Sequence, residues 1–122
     1  MLYEDLMSLF QAAPIEEGEN SWKYVIQEKN GQYSIVNSVS AERMSVELFF
    51  NEYDELRITL YKEGHPITTI QRIAILKTEL EEDEDGVQFV LERMPSRMIR
   101  LQLKPFLAVE MGLYWEVCED CE

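Results

Sequence analysis

Histidine, cysteine and glycine are all scarce in this chain, and each shortage removes a class of chemistry. The one histidine, His65, stands in Gly64-His65-Pro66 with no serine or cysteine nucleophile in a recognisable frame, so a turn residue is expected there and not a general base. The two cysteines, Cys118 and Cys121, lie at the extreme C-terminus, where a bridge would close only a tiny loop and could not staple a fold. Zinc needs four ligands, and a lone histidine beside one cysteine pair does not supply them. Glu116, Glu119, Asp120 and Glu122 flank the two thiols and disfavour the thiolate that redox chemistry requires, so residues 118–122 read as an inert acidic tail. Five glycines leave little material for a phosphate-cradling loop, and no G-x-S-x-G, P-loop, G-x-G-x-x-G or H-E-x-x-H occurs. The expectation is a protein that is not an enzyme and carries no metal or cofactor.

Long apolar runs are missing too. No stretch approaches 18 consecutive apolar residues, and Met1-Leu2-Tyr3-Glu4-Asp5 has acids where a signal peptide has bases, so a soluble, cytoplasmic protein is expected. Positive charge is the last shortage. Eleven basic residues face twenty-four acidic ones, a formal net charge of −13 over 122 residues. Nucleic-acid affinity comes from Lys and Arg neutralising phosphates, and a surface of this sign repels phosphate over a Debye length of roughly 8 Å. Direct binding to nucleic acid or to an anionic membrane is therefore disfavoured. The same field draws in a basic protein and raises its rate of association.

What remains is enough for a core: 46% of residues are hydrophobic, well above the composition of disordered chains, and the length suits one domain, 1–122. Leu2, Leu6, Leu9, Phe10 and Ala13 recur at helical spacing before Pro14, which predicts an amphipathic helix over 1–13. Glu16 to Asn20 reads as a solvated loop. From Ser21 the period becomes two. Trp22, Tyr24 and Ile26, then Tyr33, Ile35 and Val39, flank Asn30-Gly31, the signature of a hairpin with a type I′ turn across 22–39. Val46, Leu48, Phe50 and Leu56, Ile58, Leu60 predict a second hairpin, and Glu63-Gly64-His65-Pro66 a third turn. Residues 67–83 fit two readings: their β-branched content favours a strand, while Ile70, Ile73, Lys77 and Leu80 also fit a helical period. Val87, Phe89, Leu91 and Ile99, Leu101, Leu103 are two more strands, and 105–117 holds a last strand or strand-bulge-strand broken at Gly112. The fold class expected is α+β: a single two-layer domain with the N-terminal helix packed on a mostly antiparallel β-meander, 21–117, of seven or eight strands.

Three features bear on function. Glu79, Glu81, Glu82, Asp83, Glu84 and Asp85 place six carboxylates in seven residues, either a solvated loop or a surface that imitates a phosphate backbone for a basic partner. Within that run Glu81, Asp83, Asp85, Gly86 and Glu92 fall at positions 1, 3, 5, 6 and 12 of an EF-hand loop. Against calcium stand Glu at position 1, Gln88 at position 8, the strand-like period of 87–92 and the lack of a second loop. Arg93, Arg97, Arg100 and Lys104 form the basic cluster, and on a strand Arg100, Gln102 and Lys104 share the solvent face, positioned to neutralise the acidic run across the hairpin. Together these rank first a small acidic binding protein that docks on and antagonises a larger basic protein, an immunity or inhibitor type acting on a nuclease or other toxin. The alternatives are a secretion chaperone or assembly adaptor with an exposed apolar groove, and a small-molecule binder with a deep aromatic pocket around Trp22, Tyr24 and Trp115.

Overall fold

The computed structural model describes residues 1–114, so the predicted segment beyond Tyr114, with Trp115, Cys118 and Cys121, lies outside the described residues. One helix, α1 (Leu2–Phe10), precedes nine strands. The helix stops three residues short of the expected Ala13. Gln11 takes a left-handed conformation (φ 52°) and its N–H closes on the Met7 carbonyl, while the conformational restriction before Pro14 discourages any further turn. The helix enters without a side-chain cap of its own; the Leu2 N–H donates instead to Asp54 Oδ1 at 3.0 Å. Leu2 and Leu6 form the buried stripe, with Glu4 and Asp5 outward.

The strands are β1 (Ile15–Glu16), β2 (Ser21–Lys29), β3 (Gln32–Val36), β4 (Met44–Asn51), β5 (Glu55–Lys62), β6 (His65–Leu80), β7 (Gly86–Leu91), β8 (Arg97–Gln102) and β9 (Ala108–Leu113). All pair antiparallel in the order β1-β2-β4-β5-β6-β7-β8-β9, with β3 sharing the edge of β2 that β1 begins. Nine strands exceed the seven or eight expected, because the two-residue β1 is too short to show a period and falls where Glu16 was read as loop. The first hairpin turns at Asn30 and Gly31, with φ of 55° and 77°, the positive pair that a type I′ turn requires. Its second strand ends at Val36, short of Val39. The third turn closes on Glu63-Gly64 alone, and His65 and Pro66 already belong to β6, opposite Lys62 and Tyr61. Gly112 sits inside an unbroken β9, opposite Met98, so the expected break there is absent.

Residues 67–80 are strand, and the register explains the competing period. Ile58 pairs with Ile70 and Leu56 with Ile73, so two steps along β5 match three along β6. A bulge therefore turns both isoleucines to the core side at a spacing of three, which a flat strand cannot do and a helix does. Beyond it, β6 leaves β5 and pairs with β7 from Ile75 to Leu80. This 16-residue strand joins the two halves of the sheet.

Both halves and α1 bury side chains in one contiguous core that runs from Leu2, Leu6 and Tyr24 through Phe50 and Ile58 to Phe89, Ile99 and Leu101. Rows such as Tyr24, Leu48 and Ile58, or Val87, Leu101 and Val109, cross neighbouring strands on one face. Tyr24 is 1% exposed, and its hydroxyl donates to the Ala12 carbonyl at 2.6 Å, a group left over by the early end of α1. Burial first, and the nearby Tyr3 second, push its phenol up to about 12, so it remains a donor at any physiological pH. The sheet also curls. A Cβ on Gly31 would lie 3.8 Å from the Pro105 carbonyl, which brings the tip of the first hairpin over the loop that follows β8.

Candidate functional site

The acidic run caps the end of the β6–β7 hairpin. Glu82–Glu84 form a single 3-10 turn, and Asp83 and Glu84 both sit at positive φ (57° and 56°), a conformation that costs a non-glycine residue about 1 kcal/mol or more. The surroundings hold it there. Glu81 N–H donates to the Gly86 carbonyl at 2.9 Å, and Leu103 and Lys104 N–H both donate to the Asp85 carbonyl, at 2.7 and 3.1 Å. Lys104 Nζ donates to the Asp83 carbonyl at 3.2 Å.

The six carboxylates divide by role. Glu81 is half-buried, and Arg100 grips it with two parallel hydrogen bonds, Nε to Oε2 at 2.6 Å and Nη2 to Oε1 at 2.7 Å, while Gln88 Nε2 adds a third at 3.2 Å. The Arg100 hydrogen bonds, opposed by partial burial, hold the Glu81 carboxyl below its ordinary range. Glu79 accepts from the Tyr114 hydroxyl at 2.5 Å and lies 3.4 Å from Lys77 Nζ. Glu82, Asp83 and Glu84 are exposed, and Asp85 is half-buried at the foot of the turn. So the cross-hairpin pairing of the basic cluster holds for Arg100, which also reaches Gln102 and Glu110. It holds for Lys104 only through the Asp83 backbone. Arg93 and Arg97 are exposed around the β7–β8 turn.

The near EF-hand does not assemble. Its position 1, Glu81, faces Arg100, Gly86 and the residues after it are strand, and no three acidic, histidine or cysteine side chains converge on a point among the described residues. Millimolar calcium is expected to leave the melting temperature unchanged, because an ion bound to the native state would raise it by mass action. A rise of several degrees, abolished by Glu92→Gln, would overturn that expectation. His65 is an exposed residue at the start of β6.

A second acidic locus was not anticipated. At the N-terminal end of α1 a groove of about 230 Å³ is lined by Met1, Tyr3, Glu4, Trp22, Asn51, Glu52 and Asp54. Tyr3 and Trp22 meet edge to face, ring centroids 4.9 Å apart, and Trp22 rests on Phe50 at 5.7 Å. Tyr53, 70% exposed, stands beside it on the β4–β5 turn. Of the aromatic pocket around Trp22, Tyr24 and Trp115 that the ligand-binding alternative requires, Trp115 lies outside the described residues, Tyr24 is buried under Phe10, and Trp22 borders open space. Alternation identified Trp22 as core-facing, but nothing in sequence spacing signals that residues 3, 22 and 52 converge. At the other end of α1, a groove of similar size runs between Asp5, Ser8 and Leu9 of the helix and Leu80 and Glu84 of the acidic hairpin.

No helix among the described residues is long and apolar enough to cross a membrane. No curated protein matches the sequence. Among solved structures, a chain of a contact-dependent growth inhibition toxin–immunity protein complex from Klebsiella pneumoniae 342 has the same fold, with a TM-score of 0.59 at 16% identity over 90% of this chain and 91% of that one. The family described as "Protein of unknown function (DUF3979)" matches residues 8–120, and the chain belongs to that family.

Proposed function

We propose that this protein is an immunity-type antagonist: a cytoplasmic, non-enzymatic protein that docks through its acidic surface on a larger basic toxin, a nuclease being the type the charge suits best, and blocks it. The observation that carries the reading is the braced acidic turn. Glu82, Asp83 and Glu84 project from a strained turn that Arg100, Lys104 and the Asp85 carbonyl fix in place, so their charge is presented in one geometry. A solvated loop needs no such bracing, whereas a surface that meets a preformed partner gains from it because less freedom is lost on binding. The fold shared with a chain of a toxin–immunity complex supports the same assignment. Glu79 and Glu81 then serve as the anchored base of the surface, and Glu82 to Asp85 as its contact and steering charges. The grooves, about 230 to 360 Å³ and open to solvent, suit a metabolite-sized ligand less well.

The test is a pull-down from the native cytosol with this protein as bait, which should recover a larger basic toxin. Co-expression should restore growth that the toxin alone arrests. Neutralising the turn with Glu82→Gln, Asp83→Asn, Glu84→Gln and Asp85→Asn, with Glu81 left to Arg100, should slow association by about tenfold at low ionic strength and flatten its salt dependence. An unchanged, equally salt-sensitive rate, or no protection of growth, refutes the assignment.

A further inference from the structure

The structure assigns the groove lined by Tyr3 and Trp22 as the receptor for an arginine side chain of the basic partner, an inference that rests on the immunity-type reading and names a contact point away from the acidic turn. Four observations lead there. The walls are two aromatic rings held at 67° to each other, and Trp22 is fixed from behind by Phe50, so the surface is rigid before anything binds. The rim carries Glu4, Glu52 and Asp54 and no lysine, arginine or histidine side chain; its cation is the Met1 ammonium, which is paired with Asp5 at 3.7 Å. Asp54 Oδ1 already accepts from the Leu2 N–H and Glu52 pairs with the Tyr53 hydroxyl, so Glu4 and the second oxygens of Glu52 and Asp54 are what meets an incoming cation. The volume, about 230 Å³, falls below the roughly 300 Å³ at which ligand pockets begin, and suits one inserted side chain.

Aromatic faces bordered by carboxylates favour a guanidinium over an ammonium. The planar group stacks on the ring while its edge N–H groups reach two acceptors at once. Charge complementarity also selects the source. A second copy of a chain at −13 is repelled from this rim, whereas a basic protein brings the guanidinium that the rim lacks. Position fits the same partner, because α1 joins the two acidic loci: the five residue steps from Glu4 beside this groove to Leu9 in the second groove, which Glu84 also lines, rise only about 7–8 Å along the helix. One protein face of ordinary size, roughly 800 Å² on each side, covers both. Buried aromatics near the centre with charge at the rim is also how binding energy is commonly distributed.

The experiment uses the full chain carrying Trp115→Phe, so that Trp22 is the only indole, and N-acetyl-arginine amide as the probe, followed by NMR shifts and Trp22 fluorescence. A saturable response centred on the Trp22 indole N–H, Tyr3 and Glu52 is expected. It should weaken roughly threefold in Glu52→Gln, an exposed position that spares the fold, and vanish with the uncharged N-acetyl-citrulline amide. Shifts confined to 82–85, an equal response to the citrulline compound, or no saturable response would overturn the assignment. None of those results touches toxin protection by the acidic turn, so the two readings fail separately.

Discussion

Phe50→Ala is expected to remove a large share of the stability of the fold, about 3–5 kcal/mol out of the 5–15 typical of a domain. Phe50 is fully buried at the junction of β4 with α1 and β2. It stacks on Tyr24 at 6.0 Å and underlies Trp22 at 5.7 Å, so truncation opens a cavity and removes two aromatic contacts together. The curled sheet offers little room to collapse into that space, because Val46, Leu48, Leu56 and Ile58 around it are themselves buried and tied to neighbouring strands. Urea unfolding would show the midpoint fall by roughly 40% at an unchanged m value. Phe50→Leu, which keeps most of the volume, should cost clearly less and let Trp22 fluorescence report how far the groove beside Tyr3 depends on its support. A loss below 1 kcal/mol for Phe50→Ala would mean that this part of the core repacks freely.

Arg100→Met carries the second large effect, about 1–3 kcal/mol, and it reaches the proposed docking surface. Arg100 and Glu81 are mostly buried, with 21% and 19% of their side chains exposed, so removing the guanidinium leaves a carboxylate short of water and holding only Gln88. Methionine keeps the apolar stem that packs along β8, which separates lost pairing from lost packing. The effect depends on pH in a definite direction. Arg100 lowers the folded-state pKa of Glu81, so the pair contributes fully above the unfolded carboxylate value of about 4.3 and fades as pH falls through the lower folded one. The stability gap between the native protein and Arg100→Met should therefore be constant from pH 7 to about 5 and shrink below about 4. Arg100→Lys should recover only part of it, since an ammonium cannot make the forked contact. A gap that persists unchanged into acid would assign the cost to packing. With the brace gone, the exposed carboxylates of 82–84 lose their fixed geometry, and association with the proposed partner should slow even though no charge has been removed from them.

Local patterns were legible where one short-range rule governs. Asn30-Gly31 announces its turn because few other residues tolerate two successive positive φ values, and Leu2 and Leu6 announce a helical stripe because their spacing matches one face. Where two rules compete, the local pattern misleads. Ile70 and Ile73 imitate a helix because a bulge, set by pairing with Ile58 and Leu56, inserts one residue between them. The end of α1 depended on Gln11 adopting a left-handed turn and on Tyr24 accepting the task of satisfying the Ala12 carbonyl, a contact between residues twelve apart. Two residues at β1 carry no period at all; pairing with Trp22 and Lys23 alone makes them a strand.

Function divides along the same line. Net charge and the lack of catalytic or metal motifs are sums over residues, and neither depends on how the chain folds, so the sequence by itself determined the sign of the protein's field, one that opposes phosphate and favours positively charged surfaces. Which carboxylates present that charge is a question of distance. Arg100 lies nineteen residues from Glu81, and only the β6-β7-β8 pairing brings them within 2.7 Å, taking Glu81 inward and leaving Glu82, Asp83 and Glu84 outside. Tyr3, Trp22 and Glu52 meet because α1 crosses the ends of β2 and β4, a juxtaposition no spacing encodes. Charge adds up along a chain without regard to order, while a site exists only where burial and hydrogen bonding bring remote segments together, and the tertiary structure alone decided that.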